Sequence, residues 1–163
     1  MSKLPTWAEF MREAPEIAAW GESRLVSGLP SFLATVRGDA LPRVHPVDAR
    51  VKQGHLGVYM FPRSPKGFDL STDGRFALHC GVGGSDGGDG EFMVRGWAHL
   101  ATGNAERTEL LLAAGLRPVD GYILFELHPV EAFACTYERP GEKDAETIIK
   151  RWKHQATAEG STP

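Results

Sequence analysis

An antiparallel β-barrel with short helices is the fold class this sequence predicts, mainly β within the α+β range. Three observations predict it. Alternating apolar and polar residues recur in short runs from Ser31 onward, separated by turn signals such as Gly38-Asp39 and Gln53-Gly54. Most of these runs follow one another without the crossover helix that a parallel sheet would need. The chain has 163 residues, 42% apolar and 24% charged, enough for one domain with its own core.

The elements follow in order. Residues 6–20 read as helical: Thr6 is a capping residue, Glu9 three positions on completes a capping-box pattern, and Trp7, Phe10, Met11, Ile17 and Trp20 are the apolar side chains. Pro15 breaks this segment into two. "SFLATVR" sets Phe32, Ala34 and Val36 on one side of a strand, with Leu33 and Thr35 on the other. "RVHPVDARV" is a second strand, and "HLGVYMF" a third, with Leu56, Val58 and Met60 on one face. A short helix then precedes "RFALHC", the fourth strand. "EFMVRGWAHLA" is the fifth, where Phe92, Val94, Ala98 and Leu100 alternate with Met93, Arg95, Trp97 and His99. Two apolar-rich faces on this one strand suggest the barrel core on one side and a partner subunit on the other. Asn104 starts a helix to about Ala114, closed by Gly115. "GYILFELHPVEAFACTY" is a last long strand or strand pair. Residues 1–141 are thus expected to form one domain including the N-terminal helices, and 142–163 a polar tail.

Composition narrows the function classes. The net charge of -3 gives no global basic field for nucleic acid. No segment approaches the length of apolar sequence a membrane span needs, and "MSKLPTWAEFMREAPEIAAW" carries Glu9, Glu13 and Glu16 where a secretory leader would be apolar. A soluble cytoplasmic protein is therefore expected. Cys80 and Cys135 lie in apolar strand-like runs and read as buried thiols, and the six histidines show no zinc spacing, so no metal is expected. "GVGGSDGGDG", residues 81–90, matches no phosphate-cradling motif and reads as a hairpin loop, with no apolar anchor over residues 83–89.

The informative stretch is "FPRSPKGFDL", residues 61–70, where a strand stops and a cationic joint begins. Ser64 suits a helix N-cap and Pro65 the first helical position, and Asp73-Gly74 ends the helix. On its own this is a capped surface helix. Its chemistry also fits an anion site: a helix N-terminus carries a positive dipole end, Ser64 adds a hydroxyl, and Arg63 and Lys66 add charge-assisted donors. Arg43 and His45 share a face of the second strand and can join them.

With the strands in this order, the sequence resembles the pyridoxamine 5'-phosphate oxidase-like, FMN-binding split-barrel superfamily of flavin- and deazaflavin-dependent oxidoreductases. The resemblance runs from about Trp7 to Tyr137 and rests on "FLATVRGDALPRVHPV", on "GVYMFPRSPKGFDL" followed by "DGRFALHC", and on "MVRGWAHLATG". It implies a six-stranded antiparallel split β-barrel and a homodimer with FMN at the subunit interface. It also implies Arg43, Val44 and His45 lining the flavin, Met60 and Phe61 continuing that wall, and Arg63, Ser64 and Lys66 facing the phosphate. Hydride transfer to or from a small planar substrate would be the cofactor's chemistry. No catalytic side chain is assigned, His45 being the one candidate proton donor. The family's C-terminal substrate motif is not found here, and "KRWKHQ" is faintly similar to its basic-aromatic tail, with Trp152 a residue that could cover a flavin edge. Members using the deazaflavin coenzyme F-420, and members binding haem, leave those as alternatives.

Overall fold

A computed structural model describes residues 4–83, 89–103, 105, 112, 115, 121–139, 142 and 146–155. The helix expected from Asn104 to Ala114 falls largely outside them, as does the centre of the glycine loop. Two helices come first, α1 (Trp7–Glu13) and α2 (Pro15–Leu25). The capping box is formed: the Thr6 hydroxyl accepts the Glu9 N–H at 3.2 Å, and the Glu9 carboxylate accepts the Thr6 N–H at 2.7 Å. Pro15 sits in the first turn of α2, which continues to Leu25 rather than stopping near Trp20.

The sheet holds eight strands where the resemblance implies six. They are β1 (Ser31–Val36), β2 (Pro42–Val47), β3 (Ala49–Lys52), β4 (His55–Met60), β5 (Arg75–His79), β6 (Glu91–Leu100), β7 (Ile123–Glu138) and β8 (Glu146–Lys153), with α3 (Pro65–Thr72) between β4 and β5. All pairings are antiparallel, in the order β2-β1-β5-β6-β7-β4-β3, with β8 added on β7.

The two additional strands have distinct physical origins. The run 43–51 divides at Asp48: β2 pairs with β1 and β3 pairs with β4, which lie far apart in the sheet order. One segment can serve both partners only by bending, and no hydrogen-bonded ladder joins β2 to β3, so the barrel is not closed. The second addition, β8, comes from the segment set aside as a polar tail. Only Ile148 and Trp152 of β8 are half-buried, too sparse a pattern for strict alternation to reveal. Trp152 packs on Phe10 of α1, with ring centroids 4.5 Å apart, and donates its indole N–H to Glu13 at 3.1 Å.

Inward residues fill the barrel: Leu33, Leu56, Val58, Leu78, Phe92 and Phe125 are fully buried. Trp7 and Phe10 of α1 join this core. A Cβ on Gly21 of α2 would fall 2.3 Å from the Phe92 ring, so the glycine lets α2 sit directly on β6. Both cysteines are free and buried, as expected. The ends of the glycine loop are tied to α2 through Arg24, which donates to the Gly81 carbonyl at 3.1 Å and lies 3.9 Å from Asp89. No described helix is long and apolar enough to cross a membrane.

Candidate functional site

Strand β2 alternates as its sequence demands. Arg43 and His45 point inward and are half-buried, while Val44 points outward, 60% exposed. In the ladder Arg43 lies opposite Thr35 and His45 opposite Leu33. Helix α3 packs against β1 and β6 at this end of the barrel. It brings in Asp69, a carboxylate that sequence reasoning missed. The buried Oδ2 of Asp69 accepts the Thr35 hydroxyl at 2.8 Å and the Arg43 Nε–H at 2.7 Å. No local pattern in "KGFDLST" singles out Asp69, because the apolar Phe68 beside it is the one that faces solvent, 62% exposed.

Ser64 is the N-cap of α3, but its hydroxyl makes no capping bond. The Gly67 and Phe68 N–H groups donate to the Ser64 carbonyl, and Pro65 has no N–H to offer. The positive end of the helix is therefore expressed mainly through side chains. Lys66 is half-buried and its pKa is lowered by burial. Among the described residues neither Lys66 nor Arg63 has an ion-pair partner. His45 is also pushed down, first by burial and then by the positive charges of Lys66 and Arg43, with Asp69 opposing. Its Nε2 is buried without a hydrogen-bond partner.

The structure thus brings Arg43, His45, Lys66 and Asp69 into one electrostatic cluster. The other expected site residues lie around it in different settings. Val44 faces away from it. Met60 is buried beneath α3, where a Cβ on Gly67 would lie 3.2 Å from its sulfur. Phe61 is 67% exposed and its ring lies 4.9 Å from that of Tyr122. Arg63 is exposed. A groove of about 530 Å³ includes none of the cluster residues: it runs from Pro46, on the outward face of β2, along Val47, Leu25, Val26, Leu29 and Pro30. Asp48 and Arg50 stand at its rim as an ion pair, with the Tyr59 hydroxyl donating to Asp48 at 3.1 Å.

No protein-family profile matches the chain, and no curated protein matches it. Solved structures do. A candidate pyridoxamine 5'-phosphate oxidase from Listeria innocua is 15% identical with a TM-score of 0.58, covering 72% of this chain and 94% of that one. The fold is that of the pyridoxamine 5'-phosphate oxidase-like split barrels. An F-420 reductase aligns over 68% of this chain and 94% of its own, at 19% identity and a TM-score of 0.52. A haem-binding protein from Mycobacterium smegmatis aligns over 80% of this chain at 17% identity and a TM-score of 0.56, and this chain spans 57% of its length. The split-barrel likeness is one of architecture, a mainly antiparallel sheet with short helices.

Proposed function

We propose that this split-barrel chain is a flavin-dependent oxidoreductase that holds the phosphate of FMN at the Arg43–His45–Lys66 cluster. The observation that carries this reading is a shortage of negative charge. Arg43 is matched by Asp69, but His45 Nε2 is buried without a partner and Lys66 is partly desolvated without a carboxylate. Desolvating a cation without a counterion is costly, so these groups fit a bound anion. Ser64, with a hydroxyl not spent on capping, and Arg63 at the turn would complete the phosphate contacts.

Bound FMN would supply hydride chemistry at its ring. The chain's own work is to anchor the phosphate, hold Arg43 through Asp69, and keep His45 ready to donate or accept a proton at Nε2. The deazaflavin coenzyme F-420 is a second reading, favoured by the F-420 reductase among the similar structures. The visible spectrum of the purified protein separates them: a flavin spectrum supports FMN, a colourless protein that binds the deazaflavin supports the second reading, and a Soret band would show a haem carrier instead.

Titration calorimetry then tests the phosphate site. A charge-assisted hydrogen bond contributes about 1.5–3 kcal/mol, so Lys66→Ala should weaken FMN binding by roughly one to two powers of ten. Its cofactor-free melting temperature should hold or rise slightly, because Lys66 is partly desolvated there without a counterion. Riboflavin, which lacks the phosphate, should bind the parent protein more weakly than FMN does. Equal affinities in both comparisons would leave the joint as no more than a helix start.

The cofactor is proposed to lie at a homodimer interface. The outer face of β2, β1, β5 and β6 sets Pro46 opposite Phe32 and Val44 opposite Ala34, and continues through Ala77 to Arg95, with Met93 opposite His79 and Trp97 opposite Arg75 on either side of it. Phe32, Val44 and Trp97 are 44%, 60% and 45% exposed, an apolar surface of the kind that subunits cover. Light scattering at micromolar concentration is expected to give twice the chain mass, and Trp97→Arg to shift it toward the monomer. A parent protein that is monomeric at that concentration would remove the shared site.

A further inference from the structure

We infer that a recess on the outer face of β6, β7 and β8 binds a planar aromatic carboxylate, with Arg151 on the acid group and Phe133 and Met93 against the ring. The recess has a volume of about 490 Å³ and shares no residue with the phosphate cluster. Its floor follows from strand register. Met93 lies opposite Phe133, and Phe133 opposite Arg151, so the three side chains stand in one row across the sheet. In the next row on the same face, Arg95 lies opposite Glu131 and Glu131 opposite Lys153. Met93 and Arg95 also belong to the face proposed for the homodimer, which the recess extends over β7 and β8.

The two rows differ in what they leave free. Glu131 is already engaged: one of its oxygens accepts the Arg95 Nε–H at 2.6 Å and the other lies 3.3 Å from the Lys153 ammonium. The Arg95 hydrogen bond first, and that of Lys153 after it, hold its carboxyl below the usual carboxylate range. Arg151 has no ion-pair partner among the described residues. Its guanidinium lies over the Phe133 ring, 5.5 Å from the centroid. The aromatic face steadies it there, and its fork of N–H donors stays available to a carboxylate. Three cations thus line the recess with one carboxylate, so charge favours an anion. Phe133 and Met93 are half-buried, and the polarisable methionine side chain adapts to a ring laid against it. A ring that carries an acid group satisfies both features. A small inorganic anion would leave the apolar floor wet, and a neutral ring would leave Arg151 unmatched.

The experiment is titration calorimetry of the full chain with naphthoate as the probe. Expected is saturable binding of one naphthoate per chain. Naphthamide keeps the ring and lacks the charge, and it should bind about tenfold or more weakly, as the loss of one charge-assisted hydrogen bond requires. Acetate keeps the charge and lacks the ring, and it should show no saturation over the same range. Arg151→Gln should weaken naphthoate by a similar factor and leave naphthamide unchanged, with the melting temperature of the parent because Arg151 is exposed. Lys66→Ala should leave naphthoate affinity as it is. Naphthoate that does not saturate, naphthamide or acetate that binds equally well, or Arg151→Gln that keeps the parent affinity overturns this inference and leaves the phosphate site standing. Naphthoate weakened by Lys66→Ala instead would place the anion at the phosphate cluster, which also overturns it.

Discussion

Gly96→Ala is expected to destabilise the folded state strongly, by about 3 kcal/mol or more. Strands β6 and β7 slip register between Arg95 and Gly96: Arg95 lies opposite Glu131, Gly96 opposite Pro129, and Val130 is passed over. At this bulge the two backbones approach so closely that a Cβ on Gly96 would lie 1.9 Å from the His128 carbonyl oxygen and 3.1 Å from the Val130 nitrogen. Both obstacles are main chain, so no rotamer change relieves them. Overpacking a core typically costs about 1–3 kcal/mol and more where the backbone must shift, against a total stability of about 5–15 kcal/mol for a domain. The longest pairing in the sheet would have to part at its centre, so we expect a loss of about 3 kcal/mol or more. Gly38→Ala is the control, since a Cβ there meets nothing within 4 Å. It should be neutral or stabilising by less than about 1 kcal/mol. Denaturant midpoints and soluble yield measure both, and a Gly96→Ala protein within 1 °C of the parent melting temperature would refute the close approach.

The second large effect is expected at Asp69. Removing one partner of a buried ion pair costs about 3–5 kcal/mol when the remaining charge cannot reach water. Here the Arg43 side chain is 30% exposed and can partly rehydrate. The Thr35 hydroxyl, in a residue 2% exposed, cannot. Asp69→Ala should therefore lose about 2–4 kcal/mol, between the buried-pair figure and that of a single orphaned hydrogen bond. A second consequence is specific to the proposed site. Without Asp69 the cluster has one more unmatched positive charge, so FMN should stabilise Asp69→Ala by a larger margin than it stabilises the parent. Melting curves with and without FMN read out both. A variant as stable as the parent would mean that the Thr35–Asp69–Arg43 contacts carry little energy, and an equal FMN increment would detach Asp69 from the site.

Both residues mark where local reading stops. Gly96 is visible as a glycine inside an alternating strand, a signal for a bulge or close approach. What it approaches is His128 in another strand, and nothing around position 96 names that partner. Asp69 is one of two acids near the joint, with Asp73, and it becomes part of the site only because α3 rests on β1 and turns that carboxylate inward toward Thr35 and Arg43.

By itself the sequence determined the features set by neighbours a few residues apart. These are the Thr6–Glu9 capping box, the break at Pro15, the shared face of Arg43 and His45 on β2, and the start of α3 at Ser64-Pro65. Alternation has a period of two and capping a reach of three, so both are written in adjacent letters. Tertiary structure alone decided the bend at Asp48, the docking of β8, the bulge at Gly96 and the pairing of Arg43 with Asp69. Each depends on which distant segment arrives alongside, 26 residues away for Arg43 and Asp69. Contacts at that separation are fixed by the closing of the sheet around one core, not by local preference.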